Sequence, residues 1–208
     1  MIPEATIRNP QSAVRNSRGP LLVWAVLASF ALALLGLIVA APLLVAHGYA
    51  SPGLLIYDAF GYLCHQIPER SLYLEGHKLG VCSRCTGLYV GFALSVLLYP
   101  LARSLKRVDT PRLPWLLLAA VPIVVDWALG VSGLWANTHL SRFLTGALFS
   151  SVAAVYVVPG LIDLAQSVRR RFDARPAQYV QTGAAKQEAT RQQRYDAPSD
   201  YSSPSSRI

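Results

Sequence analysis

The sequence predicts an all-α fold, an integral membrane bundle of four transmembrane helices with a cysteine-rich outer loop that contains a short interfacial helix. Three observations predict it. Over half of the 208 residues are apolar, 53%, while only 14% are charged, against about a quarter in soluble domains. The apolar residues are gathered into long runs rather than dispersed, which is the pattern of membrane-crossing segments. The basic residues gather at alternate junctions between those runs, as the positive-inside rule requires of an even number of spans.

The first run, Leu21 to Ala46, carries no charge and is long enough to cross about 30 Å of hydrocarbon. It is longer than a signal-peptide core and is followed by no small-residue cleavage site. It reads as a retained helix, with Pro42 kinking or ending its last turn. The second run extends from Thr86 to about Leu101, and reaches full crossing length if taken back to Val81. Gly87, Gly91 and Ser95 recur in it every four residues, a stripe that permits close helix packing within the bundle or in a homo-oligomer. The third, Trp115 to about Leu134, contains Pro122 and one acid, Asp126. The fourth, Leu140 to about Leu164, has His139 and Arg142 at its start and Asp163 at its end. Short connections favour antiparallel neighbours, and no internal repeat is evident.

Arg8, Arg15 and Arg18 precede the first run. Arg103, Lys106, Arg107 and Arg112 separate the second from the third. Arg169, Arg170, Arg171 and Arg175 follow the fourth. All three groups fall on one side, which the rule makes cytoplasmic. The expected organisation is a cytoplasmic N-terminal segment over 1–20, a transmembrane domain over 21–165 and a basic, disordered cytoplasmic tail over 166–208. Both termini then lie on the cytoplasmic side of the cell membrane, and the cysteine loop faces outside. The net charge of +8 suits loops held against anionic lipid and gives no reason to invoke nucleic acid.

All three cysteines and two of the four histidines lie between Cys64 and Gly87. Before them, Leu54 to Gln66 is apolar and aromatic but too short to span, which suggests an interfacial or re-entrant helix ended by Pro68. Cys82 and Cys85 form a CxxC whose second member opens the second span, where backbone N–H groups and Arg84 favour a thiolate. Cys64, Cys82 and Cys85, with His65 or His77, make a Cys3His set suited to zinc, and also to copper or iron. The other readings of the same thiols are a structural disulfide, which leaves one cysteine over, and a redox pair.

Asp126 and Arg142 both fall near the outer ends of their spans. Charges in lipid face the bundle and pair, so they are expected to meet each other, either as a brace or as a polar pocket. Arg142, Thr145, Gly146 and Phe149 share one helical face by spacing, and Asn137 is a suitable cap for the fourth helix.

CHQIPERS from Cys64, GVCSRCTGLYVG from Gly80, Asp126 with Trp127, and NTHLSRFLTG from Asn137 together resemble the DUF2085 family of small predicted membrane proteins. The resemblance runs from about Tyr57 to Gly160. The residues carrying it include Cys64, His65, Gln66, Pro68, Arg70, Ser71, Cys82, Arg84, Cys85, Thr86, Gly87, Asp126, Asn137, Arg142, Thr145 and Gly146. Ser83 stands where the family often has alanine. Membership implies a multispan membrane protein and brings no reaction with it.

Three functional classes remain. One is a metal-thiolate site at the outer face, with Asp126 as base and Arg142 as anchor for a lipid-linked or small polar substrate. Another is a thiol oxidoreductase linked to a membrane quinone, for which Cys64 is an incomplete relay. The last is a small-solute or metal transporter, or a plain scaffold. The chain lacks HExxH, serine-triad and P-loop motifs, so protease, acyl-hydrolase and NTP-driven readings have no support.

Overall fold

A computed structural model describes residues 18–107 and 109–195. The N-terminal segment with Arg8 and Arg15, and the tail from residue 196, lie outside the described residues. The elements are α1 (Arg18–Ala46), α2 (Ala50–Gly61), a 3-10 turn (Pro68–Arg70), β1 (Ser71–Leu74), β2 (His77–Cys82), α3 (Ser83–Ala102), α4 (Pro114–Val131) and α5 (His139–Tyr195). Four helices are long and apolar enough to cross a membrane: α1, α3, α4 and α5 over His139–Phe172. The all-α, four-span architecture is therefore present, with one small two-stranded sheet added.

α1 continues through Pro42 to Ala46. The helix expected before Pro68 lies earlier, at Ala50–Gly61. At 1.5 Å per residue it covers about 18 Å, too little to cross a bilayer. Pro68 instead opens the 3-10 turn, where its fixed φ is an advantage and its missing N–H costs nothing.

The second span opens at Ser83, not Val81, because Val81 and Cys82 belong to β2. β1 and β2 pair antiparallel, with Ser71 opposite Cys82 and Leu74 opposite His77. Glu75 and Gly76, at φ 50° and 76°, form a two-residue turn whose twist matches the strands. This hairpin lays β2 along α1 and α2, and Val81 enters an apolar cluster with Ile38, Phe60 and Cys64.

A second cluster joins α1, α3 and α5 through Ala28, Val96, Tyr99, Ala154, Val158 and Ile162. The small-residue stripe of α3 is what lets α5 approach. A Cβ added to Gly87 would overlap the Phe143 carbonyl oxygen, and one on Gly91 would overlap that of Ala147 and stand 2.6 Å from Ser150 Oγ. α4 buries only Ala119; the apolar side chains Leu117, Val121, Val124 and Val125 are exposed, as suits a helix among lipid.

The chain divides into two compact units, Met1–Leu164 and Ala165–Ile208. In the second, α5 continues as helix to Tyr195, through the polar stretch that cannot build a core of its own. A single helix satisfies its backbone internally and needs no core to do so.

Candidate functional site

Three separate elements bring the cysteines together. Cys64 follows the end of α2, Cys82 closes β2, and Cys85 stands in the first turn of α3. Their sulfurs all lie within 4.8 Å of one another, and all three are free thiols. Cys64 is buried against Ile38, Phe60 and Val81. Its Sγ accepts two backbone N–H groups, from Cys82 at 3.3 Å and from Gln66 at 3.5 Å. Hydrogen bonds from Cys64, then from Cys85, pull the Cys82 thiol well below its ordinary value, because donors favour the charged form.

Gln66 makes that geometry. Its φ is 49°, a left-handed conformation that costs a non-glycine residue on the order of 1–3 kcal/mol. Three bonds hold it there. Its N–H points to Cys64, its Nε2 donates to the Tyr57 carbonyl at 2.6 Å, and Lys78 Nζ donates to the Gln66 carbonyl at 3.0 Å. The Tyr57 hydroxyl donates to the Lys78 carbonyl, and burial raises its pKa, which keeps it a donor.

The two histidines proposed as ligands fare differently. His65 is exposed and lines the same cavity as the sulfurs. His77 lies at the far end of the hairpin, paired with Leu74. Five residues of strand put it about 16 Å from Cys82, so the length of β2 carries His77 away from the thiols.

The cavity has a volume of about 440 Å³. Cys64, Cys82 and Cys85 form one part of its wall; Arg70, Arg84 and Arg142 form another, with Trp127 beside them. The expected pairing of Asp126 with Arg142 is corrected here. Asp126 is bonded to Arg84, with side chains 9% and 17% exposed respectively. Arg84, in the first turn of α3, reaches the carboxylate near the end of α4. Arg84 was visible in the sequence only as a charge near the thiols. Its position one residue before Cys85 at the head of a span was the available signal that it needed a partner.

Asn137 is also reassigned. Its Nδ2 donates to the Asp126 backbone carbonyl, while Thr138 caps α5 by accepting the Ser141 N–H at 3.1 Å. A further group was not singled out from the sequence. Ser83 is fully buried and donates to the Arg70 carbonyl at 2.7 Å, and its Oγ lies 2.7 Å from His139 Nδ1. A hydroxyl has one proton to give, so Nδ1 carries the hydrogen of the second bond. This chain fastens the Arg70 turn to α3 and α5.

The comparisons with known proteins fall on this same region. The family described as predicted membrane protein, DUF2085, matches residues 64–156. An uncharacterized protein of Methanocaldococcus jannaschii is 31% identical over 109 residues, 52% of this chain and 70% of that relative. Another, from Methanothermobacter thermautotrophicus, is 38% identical over 87 residues, 42% of this chain and 77% of that relative. No solved structure matches. The matched span starts at Cys64 and takes in the hairpin, the thiols and all the charged groups of the cavity wall, and over it this chain belongs to the DUF2085 family of predicted membrane proteins.

Proposed function

We propose that this membrane protein holds a transition metal, zinc by the chemistry of the donors, through Cys64, Cys82 and Cys85. The observation that carries the reading is the convergence of three sulfurs from three elements to within 4.8 Å. Tetrahedral zinc–thiolate bonds of about 2.3 Å imply sulfurs about 3.8 Å apart, so a modest contraction suffices. The two N–H groups on Cys64 Sγ hold that sulfur in place beside the other two.

The three cysteines would hold the metal at the wall of the arginine-lined cavity, which His65 also lines. A metal held by these residues would supply a Lewis acid beside the arginines. In this proposal Asp126 acts as the counter-ion of Arg84 rather than as a base, and Arg142 turns towards the cavity. The cysteine end faces away from the cytoplasm, a placement supported by the basic residues gathered at the opposite junctions.

The test is metal analysis of the full chain, purified in detergent without reductant, alongside a count of free thiols. The expected result is one zinc per chain with three protected thiols, and loss of the metal in Cys82→Ser with Cys85→Ser. Absence of metal with two thiols oxidised would sink this reading. The lowered Cys82 thiol then favours thiol exchange, read as reduction of the disulfide by an added dithiol and its reoxidation by a quinone, which takes the two electrons and two protons and leaves as quinol.

A further inference from the structure

The cavity beside the thiols is unbalanced in charge. Arg70, Arg84 and Arg142 line it. Among the described residues no acidic side chain lines it, and the Asp126 carboxylate is engaged with Arg84. Arg84 Nε is buried without a hydrogen-bond partner, although its Nη2 is held by Asp126. Arg142 is half-buried, and among the described residues its guanidinium has neither a hydrogen bond nor an ion pair. Arg70 is held in place by its backbone, through Ser83 and behind it His139, which leaves its side chain exposed and free to point at a ligand.

Guanidinium groups withdrawn from water beside a bilayer are costly unless paired. Their planar forks match the oxygens of a tetrahedral anion, two bonds at a time. We propose that this cavity binds a phosphate group, with Arg142 and Arg70 as its clamp and Arg84 as the buried charge behind them. Two positive charges are left uncompensated after the Arg84–Asp126 pair. Three thiolates around a divalent metal would carry one negative charge, so the excess stays positive whether or not the metal is there. The phosphate site therefore does not depend on the metal reading. At about 440 Å³ the cavity also accommodates whatever the phosphate is attached to, and Trp127 on its wall offers an apolar face to that remainder.

A free phosphate and a phospholipid headgroup present the same chemistry. The experiment separates them with the full-length chain. One arm titrates inorganic phosphate into protein in a neutral detergent by calorimetry. The other reconstitutes the protein in phosphatidylcholine nanodiscs with and without phosphatidic acid, and weighs the retained lipid by native mass spectrometry. The expected result is binding in at least one arm, weakened about tenfold or more in Arg142→Gln, since charge-assisted bonds are lost. Arg70→Gln changes an exposed side chain and should show the same loss even if Arg142→Gln fails to fold. Lys106→Gln, in the connection between α3 and α4, should leave binding unchanged. Heat with inorganic phosphate assigns a soluble ligand; retention of phosphatidic acid alone assigns a headgroup. Equal binding by the parent and Arg70→Gln, or no binding in either arm, overturns the proposal. Metal content of the same preparations is read separately: phosphate binding without metal sinks the metal reading alone, and metal without phosphate binding sinks this one alone.

Discussion

Gln66 and Asp126 are the residues whose structural roles are most specific. Gln66 spends backbone strain to aim its N–H at Cys64, and its amide bond to Tyr57 helps to hold it there. Gln66→Ala should cost about 1 kcal/mol from the lost hydrogen bond. It should also loosen the thiol cluster, read as faster alkylation of Cys64 in metal-free protein. Asp126 answers a mostly buried guanidinium. Asp126→Asn should destabilise by about 3 kcal/mol, because removing one partner strands the other charge. The double change of Asp126→Asn with Arg84→Gln should recover part of that loss in a thermal melt in detergent. If the partner were Arg142, the recovery would come with Arg142→Gln instead. The thiols and both charges were legible in the sequence as chemistry in need of company. Which charge met which was not, because a helix fixes the face of a residue but not the distance to residues on other helices.

At the scale of elements, the α3–α5 contact depends on absent side chains. Gly87 and Gly91 leave room for the backbone of α5, and Gly146 leaves room for the Arg84 carbonyl. Gly91→Ala must push the two helices apart, and should destabilise by about 1–3 kcal/mol, as overpacking does. Gly36→Ala in α1 meets nothing within 4 Å and should be neutral or slightly stabilising, given the helix propensity of alanine. Equal melting shifts for the two variants would refute the packing argument. The stripe itself was readable from its four-residue spacing, but its partner helix was not. The hairpin passed unread, because a loop that carries thiols invites a ligand search; its signal was Glu75–Gly76 between YL and HKL. Missing it also left His77 among the ligands, when two paired strands carry it away from Cys82.

At the scale of the molecule, the thiols and the arginine-lined cavity stand where α2, the hairpin and the ends of α3, α4 and α5 meet. The basic connection between α3 and α4 lies at the other end of those spans. The proposed orientation places that connection and both termini in the cytoplasm. A fluorescent-protein fusion at the C-terminus should therefore be bright and an alkaline phosphatase fusion inactive. The opposite pair of results would reverse the orientation, and would set the thiols in a reducing compartment, where a disulfide reading weakens further.

Composition and run length alone determined that the chain is a bundle of four membrane-crossing helices, because the bilayer demands long apolar segments whose backbone is satisfied internally. The clustering of Cys64, His65, Cys82 and Cys85 in one connection also marked the chemical end of the bundle. Only the tertiary structure decided which of those groups meet. A strand carried His77 away, a left-handed Gln66 brought Cys64 under two N–H groups, and the pairing of Arg84 on α3 with Asp126 on α4 left Arg142 facing the cavity. These outcomes rest on contacts between residues far apart in the chain, which local periodicity and spacing do not encode.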